Sequence, residues 1–128
     1  MSKPASDYFL AADEALEEAR ALWDRNLLKG TVNRAYYAMF YAASAAVVAE
    51  GIRLPKSHKT LLNLFYHHFV ESGRLQRTFH RDLARTFQLR QQGDYEIHAP
   101  MGRERVKEAV DKAEGFVSEI RKIVDLES

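Results

Sequence analysis

The sequence predicts an all-α fold, an antiparallel up-and-down bundle of four long helices plus a shorter one. Three observations carry the prediction. Apolar residues recur every three or four positions through most of the chain, which is the spacing of one helical face. No stretch alternates apolar and polar residues as a half-buried strand would. The periodic segments are separated by short runs containing Gly, Pro or Ser, and short connections make consecutive helices antiparallel neighbours.

The first helix is expected over residues 6 to 28, where Phe9, Ala12, Leu16, Ala19, Leu22 and Trp23 keep the spacing. Its acidic residues fall early, as the helix dipole favours. Lys29-Gly30 is expected to break it, with Thr31 or Asn33 capping a second helix that runs to about residue 50 and is closed by Gly51. That second helix is apolar on nearly every face and should be the central one. Seven alanines between Ala35 and Ala49 permit close helix approach, and Tyr36, Tyr37, Phe40 and Tyr41 fill wider gaps. After Leu54-Pro55, Ser57 is a good cap for a third helix through Leu61, Leu62, Leu64, Phe65, Phe69 and Val70, ended by Ser72-Gly73. The fourth is expected over residues 75 to 92, with Leu75, Phe79, Leu83 and Phe87 facing inward, before a loop over residues 93 to 102. In the fifth, Val106, Ala109, Val110, Ala113, Phe116, Val117, Ile120, Ile123 and Val124 hold the spacing to the end of the chain.

At 128 residues and 46% hydrophobic content, residues 1 to 128 are expected to form a single helical domain with one core. No apolar run reaches the roughly 18 residues of a membrane span, and residues 1 to 7 lack a signal peptide's basic-then-apolar layout. A cytoplasmic protein without membrane association is expected. The absence of cysteine excludes disulfides, thiolate metal sites and cysteine nucleophiles. The net charge of +1 names no partner, but its distribution is uneven. Residues 1 to 28 carry three basic and six acidic side chains and residues 91 to 128 six and nine, whereas residues 53 to 90 carry eight basic against two acidic. The middle of the chain is therefore the basic part.

Phosphate-cradling glycine loops, a nucleophile elbow and a His-Glu-x-x-His pair are absent. No Glu-x-x-His of the di-iron bundles occurs, and His67 with Glu71, one turn apart, reads as solvated surface. Neither a metal nor a cofactor is expected. Three constellations remain. In the first, Arg34, Tyr37, Tyr41 and Ser44 share a face of the second helix; the plain alternative for Arg34 is a salt bridge to a neighbouring helix with ordinary aromatic packing. In the second, Arg74, Arg77, Arg81 and Arg85 form a stripe along the fourth helix for phosphate binding, extended by Lys56, His58 and Lys59 if the third and fourth helices pack side by side. A solvated charged face is the alternative. In the third, residues 90 to 98 gather Arg90, Asp94, Tyr95 and His98 at a helix end, where an acid opposes the dipole and helix stability alone would not choose the arrangement. There His98 is a candidate proton carrier on a ribose 2′-hydroxyl and Arg90 a candidate for stabilising phosphorane charge.

The segments Asn33-Arg34-Ala35-Tyr36-Tyr37-Ala38-Met39-Phe40-Tyr41, Pro55-Lys56-Ser57-His58-Lys59, Phe69-Val70-Glu71-Ser72-Gly73 and Phe87-Gln88-Leu89-Arg90-Gln91-Gln92-Gly93-Asp94-Tyr95 occur in order over nearly the whole chain. In this combination the chain resembles a stand-alone branch of the HEPN domains. The resemblance implies an up-and-down bundle, a homodimer, a minimal nucleotidyltransferase partner in a toxin-antitoxin pair, and, in many members, metal-independent RNase activity from an arginine followed, after four to six intervening residues, by a histidine. Arg90 matches the arginine, but His98 follows after seven intervening residues and Asp94-Tyr95 stands nearest the expected histidine, the Arg-x-x-x-Asp-Tyr form of this branch. Aspartate does not replace histidine as a proton carrier at neutral pH without a large pKa shift. Three functions follow as expectations: a nucleotide- or RNA-binding subunit, an RNase toxin using Arg90 and His98, and a structural bundle in which Arg34, Arg90 and Asp94 form a buried ion network.

Overall fold

A computed structural model describes residues 1–96 and 100–127 of the chain. Helix α1 spans Lys3–Asp24, α2 Leu28–Ala49, α3 His58–Phe65, α4 Arg77–Tyr95 and α5 Arg103–Glu127. A π-helical stretch, Tyr66–Glu71, continues α3. Among the described residues there is no strand, and the arrangement is the expected bundle of four long helices and a shorter one.

Helix α1 starts earlier than residue 6 because Ser2 caps it: its Oγ accepts from Ala5 N at 3.3 Å, and a proline occupies the first turn, where a missing N–H costs nothing. Lys29-Gly30 does not end the first helix, which stops at Asp24, and both residues lie inside α2. The reversal falls at Asn26, which takes a left-handed φ of 60° and whose N–H donates to Trp23 O at 2.9 Å. Asparagine tolerates that conformation better than other residues with a Cβ. Gly30 lies inside α2, where a Cβ would stand 3.2 Å from Leu22 Cδ1, so the glycine serves the close approach of α1 and α2. Thr31 is no cap either; it is buried and its hydroxyl donates to Leu27 O at 2.9 Å.

Gly51, with φ of 78°, follows α2 as expected, and Ser57 caps α3 by accepting from Thr60 N at 3.3 Å. Leu75 precedes α4 instead of beginning it. Its N–H reaches back to Phe69 O at 2.8 Å across Gly73, which is left-handed at φ 86°, and its side chain is buried. At its other end α4 runs through Gly93 to Tyr95. A Cβ at Gly93 would stand 2.6 Å from the tip of the Met101 side chain, so this buried glycine makes room for that side chain and does not end the helix.

Helix α2 packs against every other helix, as its all-round apolar character requires. The main core joins Phe9 and Leu16 of α1, Tyr36 and Met39 of α2, Phe65 of α3, Phe69 of the π-helical stretch, Leu83 of α4, and Phe116 and Ile120 of α5. A smaller cluster of Val32, Leu89, Val106 and Ala109, flanked by Trp23, Leu28 and Met101, lies where α2, α4 and α5 meet. Two ion pairs tie α1 to α5 in antiparallel register, Arg20 to Glu114 at 2.7 Å and Arg121 to Asp13 at 2.9 Å. The end of α4 lies against the first turns of α2 through Leu89 and Val32.

Candidate functional site

Arg34 and Arg90, 56 positions apart in the chain, lie over the same ring. The Arg34 guanidinium carbon is 5.1 Å from the centre of Tyr37, and that of Arg90 is 5.2 Å from Tyr37 and 5.1 Å from Tyr36. Two cations beside one aromatic ring repel each other; the ring quadrupole offsets part of that cost. Arg34 also contacts Asn33 Oδ1 at 3.2 Å and Glu18 of α1 at 3.5 Å. Arg90 Nε lies 3.5 Å from Asp94 Oδ2 without the alignment of a hydrogen bond, and no N–H of Arg90 is spent on a hydrogen bond among the described residues. The side chains of Asp94 and Glu18 are 47% and 48% exposed. That corrects the expectation of a buried ion network: both carboxylates meet solvent.

The aromatic wall continues past Tyr37. Tyr41 is 6.0 Å away, and His58, from the first turn of α3, stacks on Phe40 at 4.1 Å and meets Tyr37 edge-on at 6.0 Å. Beneath it Tyr36 is fully buried with its hydroxyl unpaired among the described residues. Burial pushes that hydroxyl above its ordinary pKa, an effect opposed by the Arg90 guanidinium and reinforced by Tyr37. The result is a cluster of two cations and several rings where α2 and α4 meet, a combination suited to a phosphate attached to a base.

The remaining predicted residues divide. Ser44 is not part of the cluster, being buried with its hydroxyl on Phe40 O at 2.9 Å. Tyr95 is exposed and, five residues beyond Arg90, is turned roughly 140° around α4. His98 lies outside the described residues. Lys56 and Lys59 are exposed near His58 in sequence, yet His58 turns toward the cluster. Helix α4 instead contacts the π-helical stretch, where Arg77 donates to the Tyr66 hydroxyl at 2.8 Å and His80 packs on the Tyr66 ring at 4.8 Å. Arg74 does not belong to the α4 stripe; it lies in the preceding turn, ion-paired with Glu50 and over the Phe69 ring at 4.1 Å. Arg77, Arg81 and Arg85 are left as the exposed row on α4.

Sequence reasoning missed Tyr36 and the stacking of His58 on Phe40 as parts of the cluster. Tyr36 reads as packing because it faces the core, and no local spacing relates His58 to Phe40.

The molecule so far defined is an all-helical bundle in which two arginines from different helices meet at one tyrosine ring. The HEPN domain model matches residues 5–123, and the chain belongs to that family. A UPF0332 protein of Thermotoga maritima is 36% identical over 114 residues, covering 89% of this chain and 86% of the relative. The Methanocaldococcus jannaschii protein named "Putative toxin MJ0605" is 32% identical over 111 residues, 87% of this chain and 81% of its own. The UPF0332 protein glr0978 of Gloeobacter violaceus is 39% identical over 95 residues, 74% of this chain and 75% of its own.

Proposed function

We propose that this chain is a nucleotide- or RNA-binding HEPN subunit that works as a homodimer beside a minimal nucleotidyltransferase in a toxin-antitoxin-like pair. One observation carries the binding part. Arg90 lies 5.1 and 5.2 Å from the centres of the Tyr36 and Tyr37 rings, near Arg34, and makes no hydrogen bond among the described residues. A guanidinium held by ring contacts keeps its planar fork for a phosphate, and a second one beside it raises the local preference for an anion. Tyr37, Tyr41 and His58 offer faces on which a base stacks. The relative named as a toxin supports the toxin-antitoxin setting.

The test is binding of a fluorescent oligoribonucleotide followed by anisotropy. Arg90→Ala is expected to abolish binding while changing stability by no more than about 1 kcal/mol, because Asp94 is left in solvent rather than stranded. Arg90→Lys is expected to fail as well, since an ammonium does not reproduce the planar fork. Binding retained in both variants would remove the cluster from the proposal.

The toxin-named relative also favours a second reading, a metal-independent RNase in which Arg90 stabilises phosphorane charge and His98 carries the proton. Labelled RNA incubated with the protein in chelator separates the two. Cleavage lost in His98→Ala with binding kept supports the RNase, and intact RNA with the unaltered protein removes it.

A further inference from the structure

Metal-independent cleavage of RNA involves two proton transfers. As the ribose 2′-oxygen attacks phosphorus it gives up its proton, and as the bond from phosphorus to the 5′-oxygen breaks, that oxygen takes one. The RNase reading supplies a carrier for the first proton and none for the second. Among the described histidines, His67 lies 3.6 Å from Glu71 on an exposed face, and His68 stands beside it with ring centres 5.2 Å apart. His80 packs on Tyr66. His58 is the one that meets the tyrosine ring which Arg34 and Arg90 also meet.

Ring packing sets the position of His58. The imidazole stacks on Phe40 with ring centres 4.1 Å apart and planes 29° from parallel, and it stands at 80° to Tyr37. Stacking covers the face of an imidazole and leaves its edge, where both nitrogens lie, uncovered. His58 is exposed, and neither nitrogen is hydrogen-bonded or ion-paired among the described residues. The cap at Ser57 fixes the helical turn that carries the ring. The centre of Tyr37 lies 6.0 Å from the His58 ring centre and 5.2 Å from the Arg90 guanidinium carbon, so the two groups stand no farther apart than those distances laid end to end. A phosphodiester hydrogen-bonded at about 2.9 Å on each side spans such an interval.

We infer that His58 is a catalytic residue, the general acid that protonates the departing 5′-oxygen; the inference rests on the RNase reading. The 2′-oxygen forms its bond to phosphorus, the bond from phosphorus to the 5′-oxygen breaks, the 2′-proton passes to the base, and the His58 proton passes to the 5′-oxygen. The products are a 2′,3′-cyclic phosphate and a 5′-hydroxyl, and the step balances with no further reactant. Imidazole suits the role because it exchanges a proton near neutral pH. Arg90 and Arg34 meet the charge that develops on the phosphorane. Proton exchange with water resets both carriers.

Two substrates offered to the full chain in chelator test it: a labelled oligoribonucleotide, and a uridine 3′-phosphodiester of 4-nitrophenol, whose leaving oxygen departs without a proton. His58→Phe keeps a ring for the stack on Phe40 and carries no proton. It is expected to cleave the oligoribonucleotide at least about tenfold more slowly than the unaltered protein. Binding of the oligoribonucleotide, by anisotropy, and cleavage of the nitrophenyl ester are expected to stay within about threefold, because neither uses that proton. A smaller loss on the oligoribonucleotide overturns the inference. So does an equal loss on both substrates, which gives His58 a part in binding or in the attacking step instead. Intact RNA with the unaltered protein removes the RNase reading and the role of His58 together, and that result is told apart from the others because it precedes any variant.

Discussion

His80 shows how a single side chain ties local packing to pH. It is half-buried against Tyr66, its Nδ1 has no hydrogen bond among the described residues, and burial, reinforced by the nearby Arg77 guanidinium, holds its pKa below the usual 6.5. The unfolded chain therefore takes up a proton here at a pH where the folded chain does not. Stability from this group is complete above about pH 6.5 and falls as the pH drops below it. Thermal unfolding between about pH 5 and 7.5 should show that decline and show it flattened in His80→Gln. An identical slope in the variant would assign the acid sensitivity to other groups.

Among the described residues, the turn between α1 and α2 holds the one non-glycine residue with a left-handed backbone. Asn26 is left-handed, and its Oδ1 accepts from Arg103 Nη1 at 3.0 Å, while the Arg103 guanidinium covers the Trp23 ring at 3.6 Å. Asn26→Ala keeps the unfavourable φ and loses the acceptor, so urea unfolding should show a cost of about 1–2 kcal/mol. Asn26→Gly relieves the backbone and should cost less. Equal losses would mean that the Arg103 contact, rather than the backbone, sets the turn. At the start of α3, Ser57→Ala should cost about 1 kcal/mol by leaving the Thr60 N–H without its cap, read by the same unfolding experiment.

The whole molecule is organised around α2, and its core has little slack. Phe116 is fully buried against Phe65 at 5.8 Å, so Phe116→Ala should destabilise by about 3–5 kcal/mol in a denaturant titration, the joint cost of lost burial and a cavity. A loss under about 1 kcal/mol would mean that the core collapses around the gap. Assembly belongs to this scale as well. The proposed homodimer predicts twice the chain mass of 14.7 kDa by light scattering at micromolar concentration, and a monomer there would remove it.

The apolar spacing by itself determined how many helices form and which faces they bury, because a 3.6-residue period is a local property and burial follows it. It also marked the centrality of α2 and the cap at Ser57. Arg34 and Arg90 were legible as chemistry, since an arginine at the start of a buried helix and another at a helix end need partners. Their meeting on Tyr37 was not legible, because a separation of 56 positions carries no local signal of distance. The tertiary structure decided that meeting, and it placed His58 in the cluster and drew Arg74 away to Glu50. It also decided the fate of Gly30 and Gly93, which read as helix breakers. The roughly 1 kcal/mol intrinsic cost of a glycine in a helix is small beside the packing that close contact with Leu22 and Met101 makes possible.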